Sequence, residues 1–291
     1  MIEATLHTDP GCPWAYSQSP DIAVLRWRYG DRLRWRIVTI GLSEDTERYG
    51  RLGVTPALQA QRWLTHFRPR FGMPFSAAPR ERTIATGRAC RAIVATRLVQ
   101  PELEWAVMRA LQFGWFCSDA LLDEAEGLRT VLSAVPALDA RAVVAALDDE
   151  ATEEAYQRDR AEARTAAGTP TEAQGKTATT DGPVRYTAPS VIFAAEDGRA
   201  LEAGGFQSTG AYDVCVANLD AALSRNPAPE DPAEALAAFG DGLTTQEVAA
   251  VLAPPLTEPD RADAQARLIE AFADGRVTRT PVGDDAVWRA A

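Results

Sequence analysis

The sequence has few cysteines, and no short motif pairs them. Its 291 residues contain four, Cys12, Cys90, Cys117 and Cys215, without a CxxC pair. Spacings this wide do not fit a zinc knuckle, so we expect no metal site. Scattered cysteines in a cytosolic chain are mostly reduced and buried as small apolar residues. The useful question is therefore whether one of the four stands apart.

Positive charge is scarce as well. Lys and Arg number 30 against 41 Asp and Glu, which gives a formal net charge of −11, and Lys176 is the only lysine. Binding to phosphate backbones needs a basic face, so this charge argues against nucleic acid as a partner. The sequence also lacks a glycine-rich phosphate loop, and we expect no nucleotide cofactor.

Long apolar runs are missing. No stretch of about 18 apolar residues occurs, which predicts that the chain does not span a membrane. The first residues, Met1 to Leu6, have neither the basic nor the long apolar segment of a secretory signal. We therefore expect a cytoplasmic protein. The hydrophobic fraction of 46% is enough for a large core and for more than one domain.

The apolar pattern predicts an α/β protein in three parts. Residues 1–54 have the pattern strand-helix-strand and residues 168–225 the pattern strand-strand-helix, so together they predict one domain. Residues 55–167 have helical periodicity and predict an inserted helical domain. This is the layout of a thioredoxin fold with a large helical insertion. Residues 229–291 predict a small winged-helix-like module of three helices and two short strands.

The charge of the C-terminal module decides between two interpretations of it. A winged helix suggests DNA binding, but residues 229–291 contain 12 acidic residues and 5 arginines. That sign opposes contact with phosphate. We expect instead that the module serves packing, a homodimer or a protein partner.

Turn-forming residues fill the segment 168–183, just before the second β part. A loop of this length is uncommon in a compact domain unless it is functional or mobile. We expect either a lid or a disordered crossing.

Cys12 is the cysteine in a distinctive position. It follows the breaker cluster Asp9-Pro10-Gly11 after the first strand, and Pro13, Trp14 and Ala15 begin a helix after it. Unpaired N–H groups and the positive helix end stabilise a thiolate at such a place, and proline costs little in the first turn. The position predicts a nucleophile for disulfide exchange. The alternative is an inert cysteine in a degenerate site.

Two later segments are predicted to complete the site. Thioredoxin folds carry a cis-proline opposite the active cysteine, and Ala188-Pro189, just before a strand, is the candidate. Gly205, Gln207 and Ser208 open the last helix of that domain. Free N–H groups there, with the two polar side chains, predict a place for the carboxylate or polar head of a thiol cofactor.

These features resemble the DsbA-like oxidoreductases. The resemblance covers roughly residues 2–225 and is carried by Asp9-Pro10-Gly11-Cys12-Pro13-Trp14, the helical insertion and the late proline. The most similar group is the cytoplasmic branch of FrnE-type disulfide isomerases, kappa-class glutathione transferases and hydroxychromene carboxylate isomerases. The C-terminal extension is typical of its actinobacterial members. The resemblance implies chemistry at Cys12 with glutathione or mycothiol as the thiol.

Ala15 departs from that family's dithiol pattern, which has its second cysteine at this position. Alanine cannot resolve a mixed disulfide, so the motif cannot run an intramolecular dithiol cycle. We predict a monothiol oxidoreductase or thiol transferase in which an external low-molecular-weight thiol resolves Cys12. Two alternatives stay open. One is a thiol-dependent isomerase or transferase of an aromatic metabolite, which the tryptophan-rich insertion favours; the other is a non-catalytic adaptor.

Overall fold

The computed structural model describes residues 1–180 and 182–291 of the chain. Its strands are β1 (Ile2–Thr8), β2 (Leu33–Thr39), β3 (Thr177–Ala178), β4 (Arg185–Tyr186), β5 (Ser190–Ala195), β6 (Ala200–Ala203), β7 (Leu243–Thr244), β8 (Val277–Val282) and β9 (Asp285–Ala290). Its helices are α1 (Pro13–Ser17), α2 (Ser19–Tyr29), α3 (Glu47–Arg51), α4 (Pro56–Arg62), α5 (Arg68–Phe71), α6 (Gly87–Val99), α7 (Glu104–Cys117), α8 (Ala125–Leu132), α9 (Ala140–Ala145), α10 (Glu150–Ala163), α11 (Pro170–Ala173), α12 (Thr209–Leu219), α13 (Pro232–Ala237), α14 (Thr245–Leu252) and α15 (Arg261–Ala273). A π-helical turn, Trp63–Phe67, joins α4 to α5.

A four-stranded sheet of order β2-β1-β5-β6 joins two strands from residues 1–54 to two strands from residues 168–225. β1 and β2 are parallel, and β5 is antiparallel to both β1 and β6. Leu6 on β1 lies between Ile37 and Val191 on the neighbouring strands, and all three are buried. A parallel pair needs a crossover, which α1 and α2 supply. Because β1 is an inner strand, the loop that follows it emerges between β2 and β5.

Helices α4 to α10 lie within residues 55–167, where the periodicity predicts an inserted helical domain. The periodicity predicts helices over 81–98 and 119–133, but the corresponding helices begin six residues later, α6 at Gly87 and α8 at Ala125. Before α6, Thr86 N donates to Ser43 Oγ at 3.1 Å, and Ser43 N donates to Thr86 Oγ1 at 3.2 Å. These hydrogen bonds join the residue before α6 to the segment that follows β2. Local periodicity carries no information about them.

The segment 168–183 is more ordered than the sequence predicts. It contains α11 and also β3, which pairs with β4. Thr171 anchors it, since its N–H and its hydroxyl donate to a carboxylate oxygen of Glu202 at 3.0 and 2.6 Å. The prediction of a disordered crossing is therefore wrong for the described residues of the segment. Asp181 lies outside the described residues, and the role of a lid stays a prediction.

The C-terminal module has the three predicted helices, α13 to α15, and a sheet of order β7-β9-β8. Its two predicted strands are longer than expected, because β8 and β9 form a hairpin around Gly283, whose φ of +53° glycine adopts without strain. Thr244 and Glu247 form a capping box at the start of α14. The description as a winged helix and the proposed domain boundaries stay predictions.

The C-terminal module packs against helix α2. Ala23 and Val24 on α2 belong to the same buried apolar cluster as Leu243, Val248 and Trp288 of the module. Burial of apolar surface contributes roughly 25 cal/mol per Å². A shared core of this kind therefore holds the module against the rest of the chain.

A group of buried charged side chains lies at the same contact. Arg109 on α7 is 5% exposed and donates to the two carboxylate oxygens of Glu247 at 2.5 and 2.9 Å. Its Nε lies 2.7 Å from Asp241 Oδ2, and Ser19, the first residue of α2, donates to Glu247. Burial alone would raise the pKa of Glu247, but Arg109 and the hydrogen bonds hold that pKa below its usual value. We call Ser19, Arg109, Asp241 and Glu247 the buried ion cluster.

Candidate active site

Cys12 occupies the N-cap position of α1. Its backbone is extended, with φ −86° and ψ 114°, and its N–H donates to the carbonyl of Asp9 at 3.1 Å. Its own carbonyl accepts from Tyr16 N at 3.0 Å. The Asp9-Pro10-Gly11 turn thus connects the end of β1 to α1 and places Cys12 at the start of the helix, the position that the sequence predicts.

The thiol of Cys12 faces the segment before β5. Its Sγ donates to the carbonyl oxygen of Ala188 at 3.1 Å, and the Ala188–Pro189 peptide bond is cis. The two contacting residues are 176 positions apart in the sequence. The fold therefore brings together three of the residues that the sequence singled out.

Burial raises the pKa of the Cys12 thiol to about 12, although the N–H groups of Ala15 and Trp14 act in the opposite direction. The nearby Asp9 raises this pKa further. Cys12 is 6% exposed, and α1 has five residues, so its dipole is short. The expectation of a stabilised thiolate is therefore wrong for this conformation. Loss of solvation outweighs the helix end, and the thiol is protonated.

Ala15 lies beside Cys12 in a small apolar cluster with Val38, Ile40 and Ala188. It is 7% exposed. The position that a resolving cysteine would occupy is therefore filled by a methyl group next to the thiol. Nothing at Ala15 can take a proton or form a disulfide with Cys12.

Trp14 is half-buried in a cluster of aromatic rings, while Pro13 fills the first position of α1. The indole makes edge contacts with Phe67, Phe71 and Phe206, with ring centroids 5.1, 5.8 and 5.9 Å away. Phe67 and Phe71 come from the insertion, whereas Phe206 comes from the turn before α12. Trp14 therefore joins the Cys12 helix to both neighbouring parts of the chain.

Asp9 is a site residue whose role the sequence did not predict, because it was interpreted only as part of the turn and motif before Cys12. Its carboxylate is fully buried and accepts from Gly11 N at 2.9 Å, Leu42 N at 2.8 Å and Thr86 Oγ1 at 3.0 Å. Burial raises its pKa, and these hydrogen bonds lower it in part. Asp9 thus connects the Cys12 loop to the segment that follows β2 and to the N-cap residue of α6. A turn-forming Asp that directly precedes Pro-Gly-Cys gives no local sign of these distant donors.

The turn that contains Gly205, Gln207 and Ser208 has two of its backbone N–H groups engaged within the protein. Gly205 N donates to a serine hydroxyl at 2.9 Å, and Gln207 N donates to Gln18 Oε1 at 2.9 Å. Ser208 is the N-cap of α12 and accepts from Ala211 N at 3.4 Å. A carboxylate would have to compete with these acceptors. The assignment of this turn to a thiol cofactor stays a prediction.

The other three cysteines differ from Cys12 in position. Cys90 is buried and donates to Asp9 Oδ2 at 3.4 Å. Cys117 is partly exposed, and its thiol donates to the carbonyl of Pro74 at 3.2 Å. Cys215 is partly exposed on α12. Burial raises the pKa of all three thiols, and none faces a cis-proline.

His7 on β1 is buried without a hydrogen-bond partner for either ring nitrogen. The centroids of the His7 and Tyr186 rings are 4.7 Å apart. Burial lowers the pKa of His7 to about 4, against an opposing effect of Glu162. The folded protein therefore holds this imidazole neutral.

We expect His7→Leu to reduce the loss of stability on acidification. The pKa of a histidine in an unfolded chain is about 6.5, whereas the pKa of His7 in the folded protein is about 4. Between these two pH values the unfolded state binds a proton at this residue and the folded state does not, so acidification favours unfolding. Wild-type stability should fall by about 2 kcal/mol between pH 7 and pH 5 from this group. Urea unfolding of both proteins at the two pH values measures the difference. Equal losses in the two proteins would contradict it.

Among residues 1–180 and 182–291, no group of three or more His, Cys, Asp or Glu side chains is arranged to hold a metal ion. Over the same residues, no helix has both the length and the apolar character needed to span a membrane.

The comparisons with known proteins give matches in structure but not in sequence. No known protein family matches the chain, and neither does any curated protein sequence. The fold is similar to that of a candidate protein disulfide isomerase from Nitrosomonas europaea, with a TM-score of 0.56, 14% identity and coverage of 75% of this chain and 96% of that one. A probable DsbA oxidoreductase from Streptomyces coelicolor gives a TM-score of 0.53 at 16% identity, with coverage of 76% of this chain and 91% of that one. The cytosolic disulfide reductase DsbM from Pseudomonas aeruginosa gives a TM-score of 0.50 at 17% identity, with coverage of 76% of this chain and 98% of that one.

At these levels of identity, the similarities establish the fold. They confirm the predicted α/β thioredoxin fold with a helical insertion, in the form found in DsbA-like proteins. About three quarters of the chain is covered in each case. The narrower branch and the actinobacterial type stay predictions.

Proposed function

We propose that this chain with a DsbA-like thioredoxin fold is a monothiol thiol-disulfide oxidoreductase or thiol transferase, with Cys12 as its nucleophile. The contact of Cys12 Sγ with the carbonyl that precedes cis-Pro189 carries the proposal. Ala15 supports the monothiol form, because it leaves no second thiol in the motif. Disulfide-active proteins are also among the chains that share the fold.

The proposed reaction has two exchange steps. The Cys12 thiolate attacks one sulfur of a disulfide R–S–S–R, the S–S bond breaks, and one RS⁻ leaves. An external thiolate R′S⁻ then attacks the mixed disulfide, which releases R–S–S–R′ and restores Cys12. Electrons balance, since one disulfide and one thiol give another disulfide and another thiol.

Activation of Cys12 must accompany substrate binding. The resting thiol is buried, and the pKa is raised to about 12, so little thiolate exists at neutral pH. A disulfide that displaces the Ala188 carbonyl from Sγ would remove an acceptor that favours the protonated form. We therefore propose a thiol that is slow towards small reagents and reactive towards its substrate.

We propose glutathione or mycothiol as the external thiol, and the cytoplasm as the compartment in which such thiols stay reduced. The turn at Gly205, Gln207 and Ser208 is the proposed location for the polar head of this thiol. Competition with the internal acceptors of the turn predicts weak binding. A homodimer or a protein partner at the C-terminal module stays part of this proposal.

Two other functions are each favoured by one observation. A non-catalytic adaptor is favoured by the buried, protonated Cys12. A thiol-dependent isomerase or transferase of an aromatic metabolite is favoured by the aromatic rings around Trp14. Turnover of a disulfide that requires Cys12 would separate the proposed function from both.

The variant Ala15→Cys tests the monothiol step. A thiol at position 15 would lie three residues after Cys12 and could attack the mixed disulfide from within the chain. We expect wild-type protein carrying a mixed disulfide to keep its adduct when no external thiol is present. Ala15→Cys should instead release about one equivalent of thiol and form an intramolecular disulfide. Intact-protein mass spectrometry with time follows both events.

Ala15→Ser is the matched control, because it adds a polar group of similar size without a thiol. It should keep the adduct as the wild type does. Retention of the adduct by Ala15→Cys, or spontaneous release by the wild type, would contradict the monothiol mechanism.

A further inference from the structure

A cavity of about 600 Å³ lies between the helical insertion and the C-terminal module. Helix α7 and the end of α8 form one wall, and the hairpin of β8 and β9 forms the other. Both buried and exposed residues line it, so it opens to solvent. Its volume falls within the range of about 300–1,000 Å³ that is typical of small-molecule sites. We call it the hairpin cavity.

Most of the lining of the hairpin cavity is apolar. The insertion contributes Phe113 and Val131, and the hairpin contributes Val282 and Val287. Cys117 also lines the cavity, and burial raises the pKa of its thiol to about 12, so this side chain is neutral at physiological pH. Walls of this kind gain free energy by covering apolar atoms. A ligand of the cavity must therefore have an apolar body.

The charges of the lining do not balance. Among the residues that the structure describes, the charged ones that line the cavity are Arg109, Asp241 and Arg289. Arg109 pairs with Asp241 and with the buried Glu247, and Asp241 also pairs with Arg26. The two carboxylates therefore balance Arg26 and Arg109. The charge of Arg289 remains without a counter-ion.

Arg289 on β9 has poor hydrogen-bond partners within the protein. Its Nη1 lies 3.5 Å from Thr280 Oγ1 and its Nη2 lies 3.4 Å from the carbonyl oxygen of Asp241, both long for a hydrogen bond. Its Nε is buried without a partner. In the described part of the chain, no carboxylate forms an ion pair with it. Burial lowers the pKa of Arg289, against an opposing effect of Asp241.

An anionic group would satisfy Arg289 in full. A buried guanidinium that has lost water without gaining a counter-ion is unfavourable, and a carboxylate supplies both the charge and the acceptors. Guanidinium and carboxylate pair through two parallel hydrogen bonds. The unpartnered Nε, together with a neighbouring Nη, offers one edge for such a pair.

We propose that the hairpin cavity binds a small apolar molecule with one carboxylate, which pairs with Arg289 while the apolar body packs against Phe113 and the valines. The single uncompensated charge favours a monoanion. The site is separate from the candidate active site, because Cys12, Trp14 and Ala188 do not line the cavity. The proposal is therefore independent of the proposed function.

The test uses two fluorescent probes of nearly the same shape. Anilinonaphthalene sulfonate carries one negative charge, which stands in for the carboxylate, and phenylnaphthylamine lacks it. Fluorescence titration of the full chain should show that the anionic probe binds about 10-fold more tightly, as expected for one charge-assisted contact. Naphthoate should displace this probe at about 10-fold lower concentration than naphthalenemethanol, which differs from it in the carboxylate.

Variants assign the effect to the cavity. Arg289→Gln should remove the preference for the anionic probe, whereas Arg289→Lys should keep part of it, because the charge remains without the fork. Ala134→Trp and Thr280→Trp narrow the cavity from opposite walls at exposed positions, and each should weaken binding of both probes. Arg279→Gln is the matched control, since Arg279 is exposed on the same hairpin and does not line the cavity.

Urea unfolding without a ligand checks the fold of the variants. Arg289→Gln should not lose stability, because the substitution removes no ion pair within the described chain. Equal affinities of the two probes in the wild type, or a preference that survives Arg289→Gln, would overturn the pairing with Arg289. Binding that neither tryptophan variant weakens, or no binding of either probe, would overturn the cavity as a site.

Discussion

Replacing Cys12 by serine is expected to abolish disulfide exchange. Serine fills almost the same space, but its hydroxyl does not form a mixed disulfide and is a far weaker nucleophile than a thiolate. The hydroxyl can still donate to the Ala188 carbonyl, so the fold should be retained. We expect turnover of a glutathione or mycothiol mixed disulfide to fall to the uncatalysed rate, a loss of at least about 100-fold.

Cys117→Ser and Cys215→Ser are the controls for this experiment. Both cysteines are partly exposed and would react with reagents without taking part in the site. Each variant should keep full turnover. A Cys12→Ser protein with wild-type turnover would contradict the proposed nucleophile, and the adaptor would then be the better account.

Replacing Arg109 by alanine is expected to cost about 3–5 kcal/mol of folding free energy, the range measured when one member of a buried ion pair is removed. Arg109 is 5% exposed and Glu247 is fully buried. The variant would leave the carboxylates of Glu247 and Asp241 without their common guanidinium. Because the buried ion cluster joins the insertion to the C-terminal module, the module should also separate more easily. Urea unfolding measures the first effect, and limited proteolysis of residues 220–231, which connect α12 to α13, measures the second.

Arg82→Ala is the matched control for Arg109→Ala. Arg82 pairs with Asp123 and Glu124 at the surface, where its side chain is 40% exposed. Exposed pairs contribute about 0–1 kcal/mol, so this variant should change stability little. A loss from Arg109→Ala that is no larger than that from Arg82→Ala would show that the buried ion cluster does not hold the module.

Local sequence signals were sufficient for the arrangement of the main elements. Alternating and β-branched residues predicted β1, β2 and β5, and Pro13 after Cys12 predicted the start of a helix. The same reasoning placed the predicted cis-proline and Cys12 in one site, although 176 residues separate Cys12 from Ala188. Each of these inferences depends on short sequence patterns, read together with the order of strands and helices in the thioredoxin fold.

Short sequence patterns could not predict the contacts between residues that lie far apart in the chain. The pKa of Cys12 depends on how deeply the helix start is buried, and burial there is set by the packing of distant segments. Asp9 appeared to be a turn residue because its donors, Leu42 and Thr86, lie far along the chain. The partners of Arg109 were hidden for the same reason. In an arginine-rich chain, no local pattern shows which guanidinium is buried.

The central claim is that Cys12 forms a mixed disulfide that an external thiol removes. Intact-protein and peptide mass spectrometry after incubation with glutathione disulfide, or with a disulfide of mycothiol, tests it most directly. The account predicts one adduct on Cys12 at neutral pH, released by the matching free thiol. An unmodified Cys12, or adducts confined to Cys117 and Cys215, would contradict it.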